Sequence, residues 1–159
     1  MTGIIKVDTI QNNGGTTGLT IDSGGRVLMP ARPMFHCDRT GLSRINSNAQ
    51  IVDWTEQLDV GGNFASNQFT APIAGNYYFQ FNMLILVNGS SNVDFRLRKN
   101  SSGTLAIGYA ADNNGANWHM QTVSGIFALA ASDTVEVYVG NSAQFHEGQY
   151  SQFQGFLVS

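Results

Sequence analysis

The chain has little charge, little proline and a single cysteine. Only 12% of its 159 residues are Asp, Glu, Lys or Arg, about half the roughly 25% of an average globular domain. Its surface must therefore be mostly uncharged and polar. The net charge is -3 and the eight Lys and Arg residues are scattered, so no basic stripe is present to neutralise a run of phosphates, and nucleic acid is excluded as an expected partner. Arg96, Arg98 and Lys99 form the one tight basic group; they read as an exposed strand edge, which lysine and arginine commonly blunt. Cys37 is alone, so no internal disulfide can form, and a buried small hydrophobe is its expected state.

Catalytic patterns are also missing. There is no G-x-S-x-G, P-loop, dinucleotide-type glycine fingerprint or H-E-x-x-H, and His36, His119 and His146 are far apart. The adjacent His146-Glu147 pair reads as loop rather than metal or acid-base site. Asp112-Asn113-Asn114 offers oxygen ligands without the rest of a calcium loop. Asn88-Gly89-Ser90 and Asn100-Ser101-Ser102 fit a glycosylation sequon, which matters only in a secreted eukaryotic protein. The expectation is no enzyme, no cofactor and no metal. No stretch approaches the roughly 20 apolar residues of a membrane span, so no membrane insertion is expected. Met1 to Asn13 holds no apolar run of signal-peptide length; an uncharged, strand-rich chain of this kind is expected to assemble in a host cytoplasm as part of a particle released by lysis, namely a virion.

What is present points to one all-β unit. The length suits a single domain with one core, apolar residues make up 42%, and Gly is abundant at 18 residues against three Pro. Period-two alternation, which sends successive side chains to opposite faces of a strand, recurs along the chain. Tyr77, Phe79, Phe81, Met83 and Ile85 share one face while Gln80 and Asn82 take the other. Val93, Phe95 and Leu97 alternate with Asp94 and Arg96, and Val135, Val137 and Val139 alternate with Thr134, Glu136 and Tyr138. Turn-rich segments separate the runs: Asn88 to Asn92, Asn100 to Gly103, Asp112 to Gly115 and Gly140 to Ser142. Leu42 to Leu58 has no convincing helical period and reads as loop and strand. An all-β sandwich follows.

The texture changes at Pro30 to Pro33, which sets the boundary between segment 1-31 and domain 32-159. Before it, Ile4 to Ile10 is β-branched and partly alternating, and Gly14-Gly15 and Gly24-Gly25 punctuate two short extended pieces. A segment this short cannot bury itself. It needs a partner surface, either the same segment of neighbouring subunits or a docking protein.

Phe69, Gly75, Tyr77, Phe79 and Phe81, at the spacing F-x5-G-x-Y-x-F-x-F, resemble the downstream half of the signature of the complement C1q/tumour-necrosis-factor family. Phe153, Gly155 and Phe156 resemble its final strand. Met34 to His36, Val93 to Lys99 and Val123 to Leu129 followed by Asp133 to Val137 fall in family order, so the likeness covers most of residues 32 to 159. Phe64 stands nearer Phe69 than the family pattern asks, Ala131-Ser132 replaces the usual approach to Asp133, and there is no Gly-x-y stalk. The resemblance implies a ten-stranded jelly-roll sandwich with those eight signature residues as core, and a homotrimer in which Tyr78, Gln80 and Thr122 face neighbouring subunits. Ile5 to Gln11 and Leu19 to Val27 resemble leader segments of bacteriophage fibre-like structural proteins. Three readings stay open: a tail-fibre or spike component whose segment 1-31 docks to a virion protein and whose knob binds a host-surface glycan or protein; a capsid or tail decoration or adaptor protein; and a glycan-binding or glycan-cleaving protein. Trp118 and His119 are the candidate host contacts, since aromatic and amide groups suit sugars through stacking and hydrogen bonding.

Overall fold

A computed structural model describes residues 5–41, 43–45, 48–87, 92–111, 117–141 and 143–159. The turns at Asn88 to Ser91 and Asp112 to Gly115, with the Asn88 sequon and the Asp112-Asn113-Asn114 oxygen cluster, lie outside the described residues. Every regular element among the described residues is a strand. Three of them, β1 (Thr9–Gln11), β2 (Thr17–Ile21) and β3 (Val27–Leu28), form a small antiparallel sheet. The rest are β4 (Met34–Arg39), β5 (Ser43–Ile45), β6 (Ala49–Gln50), β7 (Trp54–Val60), β8 (Phe64–Ala65), β9 (Gln68–Thr70), β10 (Gly75–Val87), β11 (Val93–Lys99), β12 (Gly103–Ala110), β13 (Asn117–Leu129), β14 (Thr134–Val139), β15 (Ala143–Phe145) and β16 (Gly148–Leu157).

These thirteen strands make a seven-stranded sheet in the order β5-β15-β10-β16-β4-β7, with β13 along the other side of β10, and a six-stranded sheet in the order β12-β11-β14-β9-β8, with β6 on β14. Against the ten strands expected, eight are six residues or longer and five are ladders of two or three. The short ones are hydrogen-bonded fragments of connecting segments, which period-two patterning cannot register.

The two sheets close on an aromatic core. Tyr77, Phe79 and Phe81 point inward from β10, Phe35 from β4, Phe153 from β16, Phe69 from β9 and Phe95 from β11, and all are buried. Phe35 stacks on Phe64 and Phe69 at 4.9 and 5.1 Å and meets Phe153 edge-on at 4.9 Å. Such pairs add about 0.5–1.5 kcal/mol each beyond their area burial. The position of Phe64 has a local cause. Gly61 and Gly62 sit at φ +98° and +66°, and the Asp59 carboxylate accepts the backbone N–H of Asn63 and Phe64 at 3.0 and 2.9 Å. The two-residue turn Ser66-Asn67, at φ 51° and 63°, then pairs Phe64 directly with Phe69. The tyrosine hydroxyl of Tyr77 is satisfied by donating to the Ile73 carbonyl at 2.8 Å. Gly75 is glycine because a Cβ there would lie 2.7 Å from Leu157 and 2.8 Å from the Ser159 carbonyl oxygen, so the final strand, not Pro72, sets the requirement.

Phe156 departs from its expected core position. It is 40% exposed, because Phe153 and Gly155 take the inward side of β16 and strict alternation sends Phe156 outward. The basic group departs as well. β11 lies between β12 and β14, not at an edge, and its cations are tied to acids: Arg96 Nε to Asp94 at 2.7 Å, Arg98 Nε to Glu136 at 2.7 Å and Lys99 to Asp133 at 2.5 Å. Arg98 also lies 3.7 Å from the centre of the Tyr138 ring. Asp133 accepts from Lys99, Asn100 and the Ala130 N–H, which hold its carboxyl down at about 2. Arg39 is fully buried on β4 and donates to the carbonyls of Val52, Gly41 and Phe145 at 3.2, 2.8 and 3.2 Å, which compensates for taking a guanidinium out of water.

Two outcomes follow from this packing. A Cβ on Gly155 would lie 2.5 Å from Phe79 and 2.9 Å from Phe35, so Gly155→Val should lower unfolding free energy by about 1–3 kcal/mol in urea titration. Cys37 is buried, and burial, then the nearby carboxylates of Glu56, Asp59 and Asp38, push its thiol up to about 12. Since the thiolate is the reactive form, a disulfide reagent at pH 8 should label Cys37 only as fast as the chain unfolds.

Candidate assembly and contact surface

The outer face of the seven-stranded sheet is built from the residues that alternate with the core. On β10 these are Tyr78, Gln80, Asn82, Leu84 and Leu86; on β13 they are Trp118, Met120, Thr122, Ser124, Ile126 and Ala128. On β16 they are Gln152, Gln154 and Phe156, and on β4 Met34, His36 and Asp38. Direct cross-strand pairing of Gln80 with Gln154 and of Asn82 with Thr122 places their side chains within hydrogen-bonding reach.

The middle of this face is one continuous polar chain across four strands. His36 Nδ1 donates to Gln154 Oε1 at 3.1 Å, Gln154 Nε2 to Gln80 Oε1 at 3.1 Å and Gln80 Nε2 to Asn82 Oδ1 at 3.0 Å. Thr122 Oγ1 donates to the same Asn82 oxygen at 2.9 Å, and the Tyr78 hydroxyl to Gln80 Oε1 at 3.1 Å. Asp38 extends the chain, accepting from Gln152 at 3.0 Å with His36 Nε2 at 3.4 Å. Tyr78, Gln80 and Thr122 thus belong to one network on one face. Apolar groups flank it. Phe156 packs on Tyr78 at 5.3 Å and Arg32 lies over its ring at 5.5 Å, while Ile126 is 61% and Met120 52% exposed. Among the described residues β13 pairs only with β10, so there the other edge of this thirteen-residue strand carries no ladder, an arrangement that soluble chains normally cover.

Trp118 and His119 are split by the same alternation. Trp118 lies on the outer face, 39% exposed, whereas His119 points to the inner side and is half-buried. The partners of Trp118 are instead His146, edge-on at 5.3 Å, and through it Tyr150 at 4.5 Å. Neither was singled out as a contact residue by sequence reasoning. The available signal was the alternation of Tyr150, Gln152 and Gln154 against Ser151 and Phe153, which puts Tyr150 on the outer side.

A family description fits this arrangement: the C1q domain matches residues 35–158. The chain belongs to the C1q-domain family. Solved structures share the sandwich. Eiger TNF from S. frugiperda superposes with a TM-score of 0.70 at 14% identity, covering 81% of this chain and 94% of that one. The globular domain of zebrafish complement 1qA protein gives 0.61 at 18% identity, covering 80% and 98%, and murine APRIL at pH 5.0 gives 0.63 at 15%, covering 79% and 98%. At such identities the likeness concerns the fold. No curated protein matches the chain significantly. Within the C1q domain, the two aromatics of the last strand should separate on mutation: by denaturant titration Phe153→Ala should cost about 3–5 kcal/mol of stability, and Phe156→Ala well under half of that, since Phe156 is 40% exposed.

Proposed function

We propose that this C1q-domain chain is a non-catalytic structural component of a virus particle, of the tail-fibre or spike kind, that assembles as a homotrimer and binds a host-surface glycan or protein. The observation that carries the assembly is the uncovered outer face: Ile126, Met120 and Phe156 beside a polar chain, next to the unladdered edge of β13. Sister subunits around a threefold axis would cover these groups, with Tyr78, Gln80 and Thr122 at the contact. Three copies also multiply weak individual contacts through avidity, so attachment needs no deep pocket.

The small N-terminal sheet supports the docking half of this reading. Ile10 pairs with Leu19 and Ile21 with Val27, so these four aliphatics share one face, and Ile10, Ile21 and Val27 are exposed. Its two loops are built alike: Asn12 Oδ1 accepts the N–H of Gly14 and Thr16, and Asp22 Oδ1 accepts those of Gly24 and Arg26. With strands of only three, five and two residues and its aliphatic face open, this sheet has little core of its own, which fits a segment that is completed by a virion protein or by its own copies. Its low-charge composition and leader-like sequence support the viral origin, with assembly in the host cytoplasm.

Native mass measurement tests the assembly. The expected result is three times the chain mass, surviving dilution, and a single-chain mass for Tyr78→Asp, which places a charge on the outer face without entering the core. A stable wild-type monomer would sink the trimer. Adsorption of the purified protein to host envelope separates an attachment role from a decoration role, and release of oligosaccharide during that incubation would contradict the non-catalytic reading.

A further inference from the structure

The molecule has two ends. The N-terminal segment leaves at one of them, where Arg32 donates to the carbonyls of Leu157 and Val158 and Asn76 N–H donates to Ser159, beside the start of β10 at Gly75. Trp118 pairs with Leu86 near the far end of β10, so the length of a thirteen-residue strand, roughly 40 Å at about 3.3 Å per residue, separates the two. At that far end, His146 to Tyr150 line an open notch of about 530 Å³, a volume within the range of small-ligand sites.

We infer that this notch, with Trp118 on its rim, is a binding site for one residue of a neutral hexose-type sugar; this rests on the surface-binding reading above. Tyr150 and Trp118 are 52% and 39% exposed and meet His146 between them, so two aromatic rings reach solvent around one imidazole. Aromatic surfaces of this kind take the apolar C–H face of a sugar ring, and polar groups at their border take its hydroxyls. The polar groups are in place. Glu147 and Gln149 line the notch and are exposed, a carboxylate to accept and an amide to accept and donate. His146 Nδ1 lies 3.2 Å from the Glu147 carbonyl; a carbonyl only accepts, so that nitrogen carries the proton and Nε2 is the acceptor of the neutral ring. Gly148, at φ +63° with open space where a Cβ would stand, turns the loop and leaves its floor bare. Among the described residues the lining has one acid and no Lys or Arg, which favours a neutral sugar over an acidic one.

The test uses the full chain and the methyl glycosides of glucose, galactose and N-acetylglucosamine at millimolar concentration, followed by saturation-transfer NMR and by tryptophan fluorescence. The chain has two tryptophans, Trp54 and Trp118, so a fluorescence response that disappears in Trp118→Ala reports on Trp118. At least one glycoside should bind saturably, sialic acid should not, and Trp118→Ala or Tyr150→Ala should each weaken binding roughly tenfold with circular dichroism and native mass unchanged. No saturable binding by any of the three, or binding unaltered in both variants, would overturn the site. Envelope adsorption that persists without glycoside binding, or that is lost to protease and not to periodate, would leave the attachment reading standing and remove the sugar site. Glycoside binding without envelope adsorption would do the reverse.

Discussion

Three aromatics on one strand, Tyr77, Phe79 and Phe81, must be buried together, and the rest of the molecule is arranged to allow it. Each is fully buried, and a lone sheet cannot do that, so a second sheet bearing Phe69, Phe95 and the valines of β14 closes over them. β10 is laddered on both sides, by β13 and by β16 with β15. That pairing pins its register, and a one-residue slip would turn every one of these rings to the outside. Gly155 and Gly75 lie where β16 and the chain end crowd β10 too closely for a side chain.

Fixing the inner residues fixes the outer ones. Once the odd positions of β10 are core, Tyr78, Gln80 and Asn82 must lie on the opposite face, next to Gln154 and Thr122, and their amides and hydroxyls saturate one another. A face that is internally hydrogen-bonded presents few unsatisfied groups, so it can be covered by another protein surface at small desolvation cost. Its apolar borders supply what such covering would gain. The same alternation that fills the core therefore also fixes which groups this face presents.

Charge is used sparingly and locally. On the six-stranded sheet Arg96 and Arg98 pair with Asp94 and Glu136 and, at the end of β11, Lys99 pairs with Asp133, and Arg39 is spent on backbone carbonyls inside the opposite sheet. This leaves the far end of the molecule to aromatic and amide chemistry, with Trp118, His146 and Tyr150 touching in series.

Sequence alone was enough for the all-β class, the inward parity of Tyr77, Phe79, Phe81, Val93, Phe95, Leu97 and the β14 valines, and the C1q likeness, which the family description carries over residues 35–158. These follow from period-two alternation and spacing, which are local properties of the chain. Which neighbour each strand takes is not local. That is why Arg96 to Lys99 proved to be an inner strand and why Trp118 meets His146 and, through it, Tyr150; the outward turn of Phe156 and the parting of Trp118 from His119 are alternation, already present in the chain. Register and strand order are decided by contacts between residues far apart in sequence, and only the folded chain brings those residues together.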